Sequence, residues 1–347
     1  SMLNYETDFY FERGGSSYRL LQRLGVIQGV GPSVERCIVF SIAVTWMPLL
    51  VLAFFDGRAL GATPMESMLL DFATYARFFL AVPLLLIALA DGQTVESVLL
   101  PRGGLCVSTQ VGCAVGCVFC MTGRDGLQRQ LGSAEIVAQV VLARTRRALR
   151  KVVFMGMGEP AHNLDAVLDA IELLGTHGGI GHKSLVFSTV GDARVFQRLP
   201  QGRVKPALAL SLHSTQAALR ARLLPRAPRI DPAQLVAQGE SYARATGYPI
   251  QYQWTLLAGI NDGDDEVDGI VRLLRGHYAI MNMIPYNAVD GLPFRRPDAD
   301  RAAAIAASLN ARGVRTTLRQ SAGQDVDAGC GQLRARAGVV PIAVAAS

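Results

Sequence analysis

Three cysteines, Cys113, Cys117 and Cys120, stand three and then two residues apart in Cys-Ala-Val-Gly-Cys-Val-Phe-Cys. In a Gly-flanked loop at this spacing, three thiolates can turn toward one centre. Iron–sulfur clusters are held by Cys thiolates, and a 4Fe–4S cube has four corners. Three ligands leave one iron open to a further ligand. A structural zinc ion or a disulfide framework would use the same residue type. A closed zinc site takes four ligands, usually in pairs, and no second pair follows in the chain. The spacing therefore favours a cluster with one open site.

Such a loop needs a scaffold, and the downstream sequence describes one. Lys151-Val-Val-Phe-Met155 is an apolar run of strand length that ends in Gly156-Met-Gly-Glu-Pro160. From Asn163 to Leu174, Leu164, Val167, Leu168, Ile171 and Leu174 recur at helical spacing, so the unit reads strand–loop–helix. Glycines such as Gly158 at the end of a strand let backbone approach a ligand closely, and Glu159 would supply a carboxylate there. Strand-like runs follow at Leu185–Ser188, Ala207–Leu212, Ile250–Leu257, Ala279–Ile284 and Val314–Leu318. Between and after them come helical stretches at Ala217–Leu223, Pro232–Ala245 and Ala299–Arg312. Repeated βα units over roughly 220 residues imply an α/β fold with a parallel sheet, closed or partly closed as a barrel. Ser188, Ser211, His213 and Asn287 sit at strand ends, where ligands of such barrels bind. Helix capping would account for any one of them singly.

Five segments together resemble one family. Cys106-Val-Ser-Thr-Gln-Val-Gly-Cys113, Gly156-Met-Gly-Glu-Pro160, Leu210-Ser-Leu-His213, Ile284-Pro-Tyr-Asn287 and Asp325-Val-Asp-Ala-Gly-Cys-Gly-Gln-Leu333 look like the RlmN/Cfr family. These are radical S-adenosylmethionine (SAM) methyltransferases acting on adenosine in rRNA and, for RlmN, in some tRNAs. The resemblance runs from about Ala90 to Arg336. It implies a radical SAM partial (β/α) barrel with a C-terminal extension, with a 4Fe–4S cluster on the Cys triplet and SAM on the open iron. It places Gly158 and Glu159 at the SAM amine, Ser188 and the Ser211–Leu212–His213 edge at the carboxylate and ribose, and Asn287 at the adenosyl portion.

An sp² adenine carbon is not nucleophilic, so the cofactor must carry the hard chemistry. In the resembling enzymes one SAM methylates a Cys matching Cys330. A second SAM yields a radical that abstracts hydrogen from that methyl, and the methylene adds to the adenine ring. A Cys matching Cys106 then resolves the adduct as a disulfide forms with Cys330. The carboxylate matching Glu96, in Val95-Glu-Ser-Val-Leu-Leu-Pro101, accepts the proton. The motifs leave C2 and C8 of adenine open, with C2 favoured by the RlmN-like barrel. Read without the family, Cys330 is an exposed-loop thiol, Cys106 an ordinary strand Cys and Glu96 a strand-edge carboxylate.

The formal net charge of +6 and pI near 9.1 suit a nucleic-acid partner. Only three of the 34 basic residues, Lys151, Lys183 and Lys205, are lysines. Arginine forks hold phosphate bidentately. Arg144, Arg146, Arg147 and Arg150, or Arg220, Arg222, Arg226 and Arg229, are thus candidates for an RNA backbone, with helix-end charge or a solvated face as the alternative. Six cysteines without an even secreted-type framework suit a reducing cytoplasm. A monomer served by an electron donor such as flavodoxin is expected.

Residues 1–89 lie apart from residues 90–347 as an atypical apolar segment. Cys37 to Phe55 is nineteen residues without a charge, long enough to span a bilayer. Phe78 to Ala90 is a second uncharged run of thirteen. Arg13, Arg19, Arg23 and Arg36 precede the first run, favouring a cytoplasmic N-terminus. A membrane hairpin through residues 37–90, an unrelated fusion, a misassembled reading frame and a buried helical pair are all compatible with it. The alternative to an RNA methyltransferase is a non-catalytic or differently acting membrane-associated radical SAM-like protein. The small soluble helical domain that RlmN-type proteins carry there has no match in this chain.

Overall fold

The computed structural model describes residues 27–28, 31–32, 84–289, 291–319 and 329–334. The chain divides into two compact units, Ser1–Ala81 and Val82–Ser347. Of the first unit, a two-residue antiparallel strand pair, Ile27–Gln28 with Gly31–Pro32, is described. The run from Cys37 to Phe55 lies outside the described residues.

The second unit opens with β1 (Leu84–Ala88), β2 (Thr94–Leu100) and β3 (Gly104–Cys106). A hairpin follows, of β4 (Gln110–Gly112) and β5 (Leu127–Gln130), then α1 (Ser133–Arg144). Next come β6 (Lys151–Phe154), α2 (Leu164–Thr176), β7 (Leu185–Thr189), α3 (Ala193–Arg198) and β8 (Ala207–Ser211). The unit continues through α4 (Ala217–Leu223), α5 (Pro232–Thr246), β9 (Ile250–Leu256), α6 (Asp264–Leu274), β10 (Ala279–Pro285), α7 (Ala299–Ala311) and β11 (Thr316–Leu318).

One nine-stranded sheet runs β11-β10-β9-β8-β7-β6-β3-β2-β1. The pairings from β3 through β11 are parallel; β1 and β2 are added antiparallel. The sheet ends in two separate edges, so the barrel is partial, as the βα repeat predicts. Alternation along the strands separates two faces. Val152, Phe154, Leu185, Phe187, Leu208, Leu210, Tyr252, Trp254, Met281 and Met283 are buried in one apolar core together with Val167, Ile171, Leu235, Ile270, Ile305 and Leu309 of the helices. Gly239 on α5 permits close packing, since a Cβ there would stand 2.8 Å from the Tyr252 hydroxyl. In-register neighbours share the opposite face. Ser188 lies beside Ala209, and Ser211, Gln253, Asn282 and Thr317 form one row across β8, β9, β10 and β11.

Three expectations are corrected here. The apolar run before Ala90 is in part β1, paired antiparallel from Leu84↔Val98 to Ala88↔Thr94, so that stretch is strand and not helix. Among the described residues no helix is long and apolar enough to cross a membrane. With β1 outside it, β2 is no edge, and Glu96 is fully buried. Of the arginines read as phosphate-binding, Arg220 is buried and donates to the carbonyls of Val190 and Ser211, tying the ends of β7 and β8. Arg147 likewise donates to the carbonyls of Leu100 and Gly104. Buried carbonyls at loop ends need donors, and the guanidinium supplies several at once.

Candidate active site

The Cys triplet lies in the loop leaving β4. Gly112, at φ +75°, turns the chain into it; a Cβ there would meet the Gly126 carbonyl oxygen at 2.0 Å. The loop is fixed by backbone bonds from Cys113 N–H to Gly126 O (3.0 Å), Cys120 N–H to Cys117 O (3.0 Å) and Val118 N–H to Leu223 O of α4 (3.1 Å). Burial pushes Cys113 up to about 12, with Glu159 and Cys120 adding to the rise, and holds Cys117 well above the ordinary thiol range, with Cys120 and Cys113 adding. Crowded thiols that resist ionisation alone are stabilised as thiolates by a metal. Among the described residues no three His, Cys, Asp or Glu side chains meet as ligands of a single ion. A cube, in which each thiolate holds a different iron, asks less convergence of them.

Beyond β6, the Gly156–Pro160 turn passes under this loop. A Cβ on Gly156 would stand 2.7 Å from both the Ser108 hydroxyl and the Val107 carbonyl. One on Gly158, at φ +104°, would meet the Gln110 side chain at 2.7 Å. Gln110 in turn accepts from Glu159 N–H (2.7 Å) and donates to Gln130 (2.8 Å). The Glu159 carboxylate is buried and accepts from Ala161 N–H (3.1 Å) and Val190 N–H (2.9 Å). Burial nevertheless raises it to about 7, with Asp192 adding to the rise, and it acts electrostatically on Cys113 and Cys117. A buried, half-ionised carboxylate beside the thiols is matched to a cationic amine. Affinity for SAM is expected to weaken about tenfold per pH unit below about 7, as the carboxyl takes up its proton. Glu159→Gln should lower the affinity and flatten that profile, both measurable by calorimetry on the reconstituted protein.

The rim of β8 closes the other side. Ser188 and Ser211 are half-buried on the concave face, whereas the Leu212 side chain lies wholly in the apolar core. His213 takes φ +59°, a conformation costly for a residue with a Cβ. It is held there by Asn261, whose Nδ2 donates to the His213 carbonyl (2.8 Å), and by Thr255 N–H, which donates to Nδ1 (3.0 Å). Burial, with Arg220 nearby, lowers its imidazole to about 3, so the ring is neutral. Phe119, one residue before the third Cys, meets this ring edge-on at 5.0 Å. Glu266 on α6 anchors the next residues, accepting from the Ser214 and Thr215 hydroxyls and from Thr215 N–H (2.8 Å).

The C-terminal segment bearing Cys330 is stitched over the same loop. Met121 N–H donates to Gly331 O (2.8 Å) and Thr122 Oγ1 to Leu333 O (2.6 Å). Asn287 Nδ2 donates to the Cys330 carbonyl (3.0 Å), Gln332 Nε2 to Ala288 O (2.9 Å), and Arg334 N–H to Glu96 Oε2 (2.9 Å). Cys330 is exposed along an open concavity, yet protein surrounds its sulfur closely enough to raise the thiol to about 11; Cys120 adds to the rise and Arg319 opposes it. Cys106, buried on β3, is raised to about 12 by burial and by Cys330. Both are free thiols, and the described residues hold no Cys106–Cys330 disulfide.

The structure thus gathers Glu96, Cys106, Cys113, Cys117, Cys120, Glu159, His213, Asn287 and Cys330 around one end of the sheet. The sequence reading missed the groups that hold them. Gln139 on α1 accepts from the Ser97 hydroxyl (2.6 Å) and Ser108 N–H (2.8 Å), while Ser108 Oγ donates to the Glu96 carbonyl (2.6 Å) and accepts from Met157 N–H (2.8 Å). Polar side chains in an apolar pattern, such as Gln139 in Ile-Val-Ala-Gln-Val-Val, are the available signal.

Comparison with known proteins agrees with this geometry. Residues 107–274 match the model of the Radical SAM superfamily. A probable RNA methyltransferase of Methylibium petroleiphilum is 79% identical over 253 residues, covering 73% of this chain and 72% of that protein. One from Pseudomonas aeruginosa is 72% identical over 253 residues, covering 73% of each. Among solved structures, a radical SAM methyltransferase from Sphaerobacter thermophilus superposes with a TM-score of 0.69 at 33% identity, covering 91% of this chain and 96% of that one. The superfamily implies a 4Fe–4S cluster and SAM, and the thiol triplet beside the buried Glu159 fits both. With its sheet, cluster loop and relatives in agreement, this chain belongs to the radical SAM RNA methyltransferases.

Proposed function

We propose that this enzyme is of the RlmN/Cfr type and methylates a ring carbon of adenosine, C2 in preference to C8, in rRNA and in some tRNAs, with the methyl group carried on Cys330. The observation that carries the reading is the position of Cys330: the carbonyl of its neighbour Gly331 accepts from the N–H of Met121, the residue that follows the third cysteine of the triplet, and its thiol lies within electrostatic reach of both Cys120 and Cys106. The cluster and SAM, when bound, supply one-electron reduction, hydrogen abstraction and the methyl group. The chain's own residues do the rest. Cys330 accepts the methyl and presents its carbon to the base. Glu96, buried and fixed to the same segment through Arg334 N–H, takes the proton lost from the adenine ring. Once the adduct has returned its unpaired electron to a one-electron carrier, Cys106 as thiolate attacks the adduct sulfur. The S–S bond forms and the bond from sulfur to the methylene carbon breaks; its electron pair and a proton complete the new methyl group, and a Cys106–Cys330 disulfide is left for an external reductant. The target base must be unstacked to meet a protein-bound carbon, which loops and bulges permit at least cost.

A monomer in the cytoplasm, reduced by a carrier such as flavodoxin, completes the proposal, with the catalytic residues all in the second unit, Val82–Ser347. Mass spectrometry of rRNA and tRNA from cells with and without the gene tests it. Loss of 2-methyladenosine on deletion is the expected result. Loss of 8-methyladenosine would move the target carbon, and an unchanged profile of both would remove the adenosine reading.

A further inference from the structure

The row Ser211, Gln253, Asn282 and Thr317 on the concave face leads away from the cluster toward the free edge at β11. Asn282 is 2% exposed. Its Oδ1 is doubly used, accepting from Thr317 Oγ1 (2.7 Å) and Arg319 Nε (3.2 Å). Its Nδ2 is buried with no hydrogen-bond partner. A buried donor without an acceptor costs free energy, and each such group calls for a partner, whether an ordered water, an ion or a ligand.

Two cations share this face. Arg319, two residues beyond Thr317, is exposed at the mouth of the concavity and within electrostatic reach of Cys330. Lys151 begins β6 and has the same facing as Val153, the in-register partner of Cys106. Burial and the charge of Arg319 both disfavour the Lys151 ammonium, and neither side chain has a carboxylate partner among the described residues. The groups left to bind are the Asn282 amide N–H, the outer N–H groups of Arg319 and the Lys151 ammonium. Every one is a donor. Adenine sets its amino donor beside a ring-nitrogen acceptor, so reading it takes an acceptor as well as donors, and Asn282 has already spent its acceptor on its neighbours. A phosphodiester presents acceptors alone and an anionic charge.

We propose that Asn282, Arg319 and Lys151 form a phosphate site that holds one of the two phosphodiesters flanking the target adenosine, fixing the extruded nucleotide against Cys330. This rests on the RNA-methylating reading above and adds to it the group by which the nucleotide is gripped. A phosphate contact positions the strand without reading its sequence, so the site would grip any adenosine that can leave its stack.

The test uses the reconstituted holoenzyme and a fluorescein-labelled single-stranded RNA containing one adenosine. Two further RNAs replace the phosphate on the 5′ or the 3′ side of that adenosine by an uncharged methylphosphonate. Wild type is expected to bind one of the modified RNAs about tenfold more weakly than the unmodified one. Arg319→Gln should bind all three within about twofold, whereas Arg319→Lys, which keeps the charge, should still discriminate. SAM affinity should be unchanged by Arg319→Gln within about twofold, because the site is not the one assigned to the SAM carboxylate. Equal binding of the three RNAs by wild type, or discrimination that survives Arg319→Gln, overturns the site. A tenfold loss of SAM affinity with RNA discrimination intact also overturns it and assigns the cations to the cofactor. Discrimination as expected, in an enzyme that transfers no methyl to adenosine, would leave the phosphate site standing and remove the catalytic reading instead.

Discussion

Cys330→Ala is expected to abolish both methylated protein and methylated RNA, while Cys106→Ala still acquires the methyl and accumulates RNA bound covalently to Cys330. The asymmetry follows from where each sulfur lies. Cys330 is exposed in the concavity, on a segment held by backbone bonds, and is reachable by a cofactor and a base. Cys106 is buried on β3, raised to about 12 by that burial, and close enough to Cys330 to feel its charge. A thiol so placed cannot greet a substrate from solution, but it can attack a neighbouring sulfur once an adduct exists. Neither substitution opens a large cavity, since each removes a single sulfur atom. The Asn287, Gln332 and Met121 contacts that hold the segment do not involve the Cys330 side chain. Labelling with [methyl-³H]SAM followed by denaturing gels separates the outcomes: no protein label for Cys330→Ala, a shifted nuclease-sensitive band for Cys106→Ala. Release of methylated RNA by Cys106→Ala at the wild-type rate would rule out the two-thiol sequence.

The second large effect is on iron. Replacing Cys113, Cys117 and Cys120 together by Ala should take the anaerobically reconstituted protein from about four irons per chain to none, with loss of the brown thiolate-to-iron absorbance. The fold should survive, because the loop is closed by Gly126 O, Leu223 O and the Phe119–His213 ring contact, none of which needs a sulfur. Far-UV circular dichroism should therefore match wild type. Full iron content in the triple variant would refute the assignment.

Much of this site can be read from the chain because its chemistry is local. The Cys spacing, the Gly-rich turn before Glu159 and the strand runs at Lys151, Leu185, Ala207, Ile250 and Ala279 are each set by a few adjacent residues. They emerge in the structure within a residue or two of their expected ends. What the sequence hides is anything fixed by a distant partner. Glu96 reads as an edge carboxylate because nothing local says that Leu84–Ala88, taken as part of a long apolar run, will fold as a strand beside it. Arg220 reads as a surface cation because its acceptors, the carbonyls of Val190 and Ser211, lie on two other strand ends. Helices α1 and α6 went unread for a different reason. In α1 Gln139 interrupts the apolar stripe to serve Ser97 and Ser108, and in α6 the first turn carries Asp264, Asp265 and Glu266, the last of them turned inward to Ser214 and Thr215. Ser188 and Ser211 were legible as rim residues, while the polar row of Gln253, Asn282 and Thr317 appears only once strand register is known.

The bonds from Met121 and Thr122 to Gly331 and Leu333 join the third cysteine of the triplet and the segment bearing Cys330 into one mechanical part. Residues more than 200 positions apart in the chain move as neighbours. Any shift of Cys120 or Met121 would thus be felt at Cys330. In engineering terms the clamp and the tool share a mounting, fastened by one peptide–peptide bond, Met121 N–H to Gly331 O, and by one side chain, Thr122, whose replacement by Val would loosen it.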